Sequence, residues 1–296
     1  MNIIAVVVTY NRKELLKRNI TCLRANTPVS SIVVVNNGST DGTGEWLDDQ
    51  KDLTVIHQEN VGGSGGFYRG IQYAYQAGAD WIWCMDDDVF PRADCMEHLL
   101  PYTHESGVGI LAPRRLMEGQ IFTNDFQKVN LTNPFASMYQ QKLKGRVIDS
   151  PVDICGTAFE GLCISREAVE RIGLPNKELF IFCDDTDYCL RAVLAGFRIL
   201  YIPSALMDKE KFFSDDDWES RKKKWKRFYQ VRNAAYLNHR YGKNWAVRYL
   251  RSFHAVLGYI VIALATIPFK DVYTLDDVAK FWKAYRDGIL EKLGKL

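Results

Sequence analysis

The chain has 296 residues, with 38 Lys+Arg against 36 Asp+Glu, 47% hydrophobic and 25% charged. This is ordinary globular composition, which excludes a disordered chain, a collagen-like repeat and a disulfide scaffold. The seven cysteines form an odd set with no CxxC pair and read as reduced thiols, mostly small core residues, rather than a zinc site.

Strand and helix periods alternate from the start. Ile3–Val8 is a continuous β-branched run, as expected of a strand buried on both faces, with none of the flanks of a targeting signal. Residues 12–25 carry Leu15, Leu16, Ile20 and Leu23 at helical spacing. Ser31–Val35 and Leu53–His57 read as strands, Gly66–Ala77 as a helix, Trp81–Met85 as a strand and residues 93–105 as a helix. This order predicts βαβ units and a Rossmann-like, mostly parallel sheet flanked by helices. Residues 113–150 read as short strands and loops, an insertion on the acceptor side. Ala158–Ser165 and Phe197–Ile202 are further strands, and Asp184–Ala195 is a helix. Helices are expected over 218–241, 244–267 and 274–292, so residues 1–215 form a sheet domain and 216–296 a helical appendage.

Polar clusters follow four of the strands. Ligands of open α/β sheets bind at such carboxyl ends, so one cleft is expected there. Asp86, Asp87 and Asp88 close an apolar strand. Asp86 and Asp88, one residue apart, can grip a divalent cation and leave positions for phosphate oxygens, and burying this much charge without a counter-ion is costly. The alternative is an acidic turn. Asn60–Gly66 puts four glycines at a strand-to-helix junction. Glycine admits a phosphate close to the backbone, and Arg69 follows one turn later, although neither a dinucleotide fingerprint nor a P-loop is present. Asp184, Asp185 and Asp187 are three carboxylates in four residues. Neighbouring acids raise one another's pKa, which suits a general base, but acids at a helix start also suit the dipole.

The late part of the chain is basic. From Arg221 to His254 there are eleven Lys/Arg and no Asp/Glu, so the rest carries a net −9. Lys222–Tyr229 mixes basic and aromatic residues and is followed by Ser252–Phe269, eighteen residues without a formal charge. That stretch reads as an interfacial or packing helix, ahead of a core helix or a true span. The pairing fits anionic lipid headgroups better than nucleic acid, and no nucleic-acid partner is expected.

Together these motifs resemble the inverting family 2 glycosyltransferases of the A-type fold over roughly residues 1–210. The resemblance rests on Val-Val-Thr-Tyr-Asn-Arg (7–12), Val-Asn-Asn-Gly-Ser-Thr-Asp-Gly-Thr (35–43), Asn-Val-Gly-Gly-Ser-Gly-Gly-Phe-Tyr-Arg-Gly (60–70), Met-Asp-Asp-Asp-Val (85–89) and Phe-Ile-Phe-Cys-Asp-Asp-Thr-Asp-Tyr-Cys-Leu-Arg (180–191). Bacterial galactofuranosyltransferases and rhamnosyltransferases are the nearest in character. The resemblance implies a nucleotide-sugar donor, UDP-galactofuranose favoured and dTDP-rhamnose the alternative. Thr9, Tyr10, Arg12 and Asn37 would hold the nucleoside, Asn60 and Arg69 the base or diphosphate, with Asp87 beside them. Asp86 and Asp88 would flank Mg²⁺ or Mn²⁺, and Asp185 would be the base, with Asp184 and Asp187 as rivals. Relatives often carry a metal-ligating His about twenty residues past the base; here Ala205-Leu206-Met207-Asp208-Lys209 has none, and Asp208 is the candidate substitute. A polar loop around 209–218 could close over the nucleotide. Arg227–Asn233 is similar to a segment that follows the catalytic domain in polysaccharide transferases.

A polyprenyl-diphosphate-linked or other glycan acceptor is implied, with the enzyme cytoplasmic and peripheral at the inner membrane face. Packing into a homo-oligomer is the other use of the apolar helix. Two further readings compete. A nucleotidyltransferase would place glycine directly after the first strand, where Thr9-Tyr10-Asn11-Arg12 has none. A non-catalytic scaffold is supported only by the missing His.

Overall fold

A computed structural model describes residues 1–122, 125–143, 148–211, 224–269 and 272–296. The chain divides into two compact units. The first comprises Met1–Lys128, Gln141–Lys177 and Asp184–Lys211; the second comprises Val129–Gln140, Glu178–Cys183 and Phe212–Leu296.

The first unit is built on a ten-stranded sheet. Strands β1 (Ile3–Thr9), β2 (Ser31–Asn36), β3 (Leu53–His57) and β4 (Trp81–Asp86) form its parallel half, with β1 between β2 and β4. All seven residues of β1 are buried, as the unbroken β-branched run requires. The other half contains β5 (Val89–Pro91), β6 (Val108–Met117), β7 (Gln120–Phe122), β10 (Val152–Ile154), β11 (Leu162–Ser165) and β12 (Arg198–Lys209). The main order is β10-β12-β6-β11-β4-β1-β2-β3, with β5 on β12 and β7 on β6. Strand β11 runs antiparallel to both β4 and β6, so the sheet is mixed but mostly parallel along this path. Two short strands, β8 (Phe126–Val129) and β9 (Tyr139–Lys142), pair separately.

Helices cover both faces. Helices α1 (Lys13–Arg24), α2 (Thr43–Asp48) and α4 (Cys95–Leu99) send Leu16, Ile20, Leu23, Leu47, Met96 and Leu99 into one core. Helices α3 (Gly62–Gln76), α5 (Arg166–Ile172) and α6 (Asp184–Leu194) send Phe67, Ile71, Val169 and Tyr188 into the other. Cys84, Cys95, Cys163 and Cys189 are buried free thiols, as expected of small core residues.

The glycines of α3 have a use that spacing alone did not reveal. A Cβ on Gly66 would lie 2.5 Å from Cγ1 of Val8, and one on Gly70 2.3 Å from Cγ1 of Val6. These two glycines, one helical turn apart, let the helix backbone lie directly on β1. A Cβ on Gly63 would have nothing within 4 Å.

The second unit is helical. Helices α7 (Trp225–Tyr241), α8 (Arg251–Thr266, preceded by one π-helical turn, Ala246–Leu250) and α9 (Leu275–Ile289) pack around Phe228, Val231, Val256, Tyr273 and Phe281. Thr274 and Asp277 form a reciprocal capping box that starts α9. The run Ala246–Thr266 is long and apolar enough to cross a membrane by length and composition, and only 17% of its most apolar window is buried. The loop expected around 209–218 beyond Lys211, the start of the helix expected from 218, and Lys222 and Lys223 lie outside the described residues.

Candidate functional site

Strand register brings three polar chain ends to one edge of the parallel half. Thr9 pairs with Asn36, and Val8 with Asp86, so β1, β2 and β4 end level with one another. The turn after β4 is tied back to β1. The Thr9 hydroxyl donates to Oδ2 of Asp87 at 2.7 Å. Arg12 Nη1 bridges Oδ1 of Asp87 at 3.2 Å and Oδ2 of Asp88 at 3.0 Å. Burial pushes the Asp87 carboxyl up to about 6, even though Arg12 and the Thr9 hydroxyl pull it down.

Three residues not anticipated from the sequence complete this cluster: Glu160, Lys209 and Arg115. Lys209 Nζ lies 3.1 Å from Oδ1 of Asp88 and 2.6 Å from Oε1 of Glu160. The other Glu160 oxygen is 2.7 Å from Nη1 of Arg115, whose Nη2 is 2.7 Å from Asp125. Burial alone would raise Glu160, but Arg115 and Lys209 outweigh it and hold the carboxyl below its usual range. The available sequence signal was charge inside apolar stretches: Arg115 on β6, Lys209 on β12 and Glu160 just before β11.

Asp86 stands at the centre of this charge. Burial, then the neighbouring charge of Asp88, push its carboxyl well above the ordinary range; Lys209 opposes them, while Glu160 and Asp87 add to them. The network brings Asp86, Asp87, Asp88, Asp125 and Glu160 together with Arg12, Arg115 and Lys209. Among the described residues no three His, Cys, Asp or Glu side chains form a metal cage. The hard oxygen donors of Asp86 and Asp88 nevertheless fit a divalent cation completed by ligand oxygens.

Asp208 does not join them. Successive side chains of a strand alternate, so β12 presents Lys209 to the cluster while Asp208 takes the other side. There it accepts from Arg92 Nε at 3.2 Å, beside a cavity of about 380 Å³ lined by Arg18, Cys22 and Phe90. The structure thus places Asp208, expected in place of the metal-ligating His, with Arg92 and not with Asp86 and Asp88.

Asp184, Asp185 and Asp187 all begin α6 but have different surroundings. Asp187 is buried and bonded to Arg191 Nε at 2.9 Å, and Arg191 also donates to the carbonyls of Ile172 and Leu174. Burial raises Asp184 to about 6, countered in part by backbone amides and the Ser64 hydroxyl. Asp185 is half-buried, and burial together with the Asp184 charge raises it to about 7; Glu160 adds to the shift.

The remaining candidates divide. Asn37 is buried, donating to the Gly62 carbonyl at 3.0 Å and accepting from Gln58 Nε2 at 2.9 Å. Asn60 Oδ1 accepts from Gly62 N at 3.0 Å, so both asparagines shape the entry to α3. Tyr10 is exposed. Arg69 is exposed and bonds to Gln72 on its own helix, outside the carboxylate network.

A family profile described as Glycosyl transferase family 2 matches residues 4–172. A galactofuranosyltransferase of Mycolicibacterium smegmatis is 26% identical over 65% of this chain and 65% of its own. An undecaprenyl-phosphate mannosyltransferase of Micrococcus luteus is 29% identical over 71% and 85%. A dTDP-rhamnosyl transferase of Shigella flexneri is 28% identical over 70% and 68%. The chain thus spans about two thirds of the length of the galactofuranosyltransferase it matches. Among solved structures, GalNAc-T7 with UDP, GalNAc and Mn²⁺ superposes with a TM-score of 0.60 at 12% identity, covering 98% of this chain and 56% of that one. The mannosyltransferase PcManGT of Pyrobaculum calidifontis, with GDP-Man and Mn²⁺, gives 0.53 at 15% identity over 98% and 88%. These likenesses establish the A-type glycosyltransferase fold.

Proposed function

The chain belongs to glycosyl transferase family 2, and from that membership we propose that it moves a sugar from a nucleoside diphosphate to a glycan hydroxyl with inversion. Galactofuranose from UDP-galactofuranose is the favoured donor sugar, on the likeness to galactofuranosyltransferases. Rhamnose from dTDP-rhamnose is the second reading, on the likeness to a dTDP-rhamnosyl transferase. The observation that carries the proposal is the turn at the end of β4 in a chain of this family, where Thr9 and Arg12 from the end of β1 hold Asp87 and Asp88 beside Asp86.

In this reading Asp185 accepts the proton of the acceptor hydroxyl while that oxygen bonds to the anomeric carbon from the face opposite the nucleotide. The bond from the anomeric carbon to the leaving oxygen breaks, and its electron pair leaves on the diphosphate. A raised carboxyl suits the base, because its proton affinity then lies near neutral pH. Asp184 keeps its neighbour raised, and Asp187 fixes α6 through Arg191. Thr9 and Arg12 hold the Asp86–Asp88 turn in place, and Asn37 and Asn60 shape the glycine-bearing entry to α3 where the nucleotide phosphates would approach Gly63. Asp86 and Asp88 would hold Mg²⁺ or Mn²⁺, which when bound offsets the charge developing on the leaving diphosphate. The acceptor we favour is carried on a polyprenyl lipid, which agrees with the likeness to an undecaprenyl-phosphate mannosyltransferase. The enzyme would then work at the cytoplasmic face of the membrane.

The test is a panel of UDP-galactofuranose, UDP-galactopyranose, UDP-glucose and dTDP-rhamnose with Mn²⁺, reading released nucleotide with and without a lipid-linked or alkyl-glycoside acceptor. Acceptor-dependent release from one donor is expected. Asp185→Asn should retain nucleotide binding and lose at least about a hundredfold in turnover. Full activity in that variant would move the base elsewhere, and silence from every donor would overturn the proposed donors.

A further inference from the structure

The cluster holds a cation for which the proposed reaction has so far had no use. Lys209 is almost fully buried, its side chain 5% exposed, on the carboxylate side of β12. Its place is fixed from both directions. Strand β12 pairs Lys209 with Val89, directly after Asp88, and Glu210 N donates to the Asp88 carbonyl at 3.0 Å. Glu160, which grips the ammonium at 2.6 Å, is itself held by the buried Arg115. Burying an ammonium is costly unless its partners are well placed, and here the partners include Asp88, the carboxylate expected to hold the metal ion beside the donor phosphates.

We propose that Lys209 is a built-in cation of the donor site, which lets the protein hold a nucleoside diphosphate without a metal ion and competes with a metal for Asp88. This rests on the donor-site reading above. An ammonium has three protons, so Lys209 can keep its bond to Glu160 while turning another proton to a phosphate oxygen. A divalent ion approaching Asp88 must first displace the same ammonium from Oδ1.

The test uses the full chain and calorimetric binding of UDP and dTDP, in EDTA and in Mn²⁺, with spin-resonance titration of Mn²⁺ alone. The wild type should bind nucleotide in EDTA within about tenfold of its affinity in Mn²⁺. Lys209→Met should lose about tenfold to a hundredfold in EDTA, the range for one charge-assisted hydrogen bond, and less in Mn²⁺. It should also bind Mn²⁺ alone more tightly, and Lys209→Arg should restore binding in EDTA. A purely structural lysine would lower thermal stability and leave these affinities unchanged. Equal affinities of wild type and Lys209→Met in EDTA would overturn the proposal. So would a wild type that binds in Mn²⁺ but not in EDTA, a result that needs no variant to fold. Binding of neither nucleotide under either condition would instead remove the donor-site reading, and this proposal with it.

Discussion

Asp185 and Asp187 sit two positions apart on one helix and have opposite fates. Asp187 is neutralised by Arg191, whereas Asp185 has the Asp184 and Glu160 charges nearby and is raised to about 7. A carboxyl works as a base only when ionised, so the acceptor-dependent rate should climb from pH 6 to 8, half-maximal near 7, and level off above about 8. Asp184, Glu160 and Thr186 surround that group, and Asp184 itself lies at about 6. Stability should run the other way. An unfolded Asp titrates near about 3.9. A folded value above this contributes stability at acidic pH that is lost as pH rises through about 6 to 7. Melting of the metal-free protein should therefore fall over that window, and less so in Asp185→Asn. A rate independent of pH across the window would count against Asp185 as the base.

Helix α3 shows that one motif can serve two purposes. Gly66 and Gly70 give room to β1, so Gly70→Ala should force its methyl into Val6 and destabilise by about 1–3 kcal/mol, partly offset by the better helix propensity of Ala. Gly63→Ala meets nothing and should melt at or slightly above the wild-type temperature. If the nucleotide approaches there, that variant should lose nucleotide affinity all the same; equal affinity would detach Gly63 from the site. The parallel strands were legible because buried β-branched runs leave little ambiguity, and Leu53–His57 was read with the bounds of β3. The helices α1, α6, α8 and α9 were legible from period and caps. Strand β6 and the antiparallel placement of β11 were not, since a strand's partners depend on long-range pairing that local pattern does not encode. The carboxylates of the site were legible as motifs, while Glu160 and Lys209 were hidden because single charges acquire meaning only after the strands are aligned.

At the scale of the whole molecule the exposed apolar and basic surface belongs to the helical unit. In the helical unit Val261, Ile262, Leu264 and Phe269 are exposed by 62%, 52%, 47% and 86%. Trp245 is 64% exposed at the other end of the same stretch, beside the exposed Lys243 and Arg248. An apolar helix with an aromatic and basic residues at one end suits an anionic interface. The protein should sediment with phosphatidylglycerol vesicles at physiological salt and less with neutral ones, and Val261→Glu with Ile262→Glu should release it. If the wild type stays in the supernatant and forms dimers by light scattering, this surface packs against a second copy instead.

The bulge in β12 has a consequence for how such a site can change. Between Ile202 and Leu206 the pairing with β6 skips, so residues 203–205 set the phase of everything downstream. Lys209 is flanked by Asp208 and Glu210. Removing one residue from the bulge would slide Glu210 into the place of the ammonium, and adding one would bring in Asp208. Either length polymorphism exchanges a positive for a negative group without any substitution among the site residues. The length of the bulge thus acts as a sign selector, and insertions or deletions there should trade metal-free phosphate capture for tighter metal chelation.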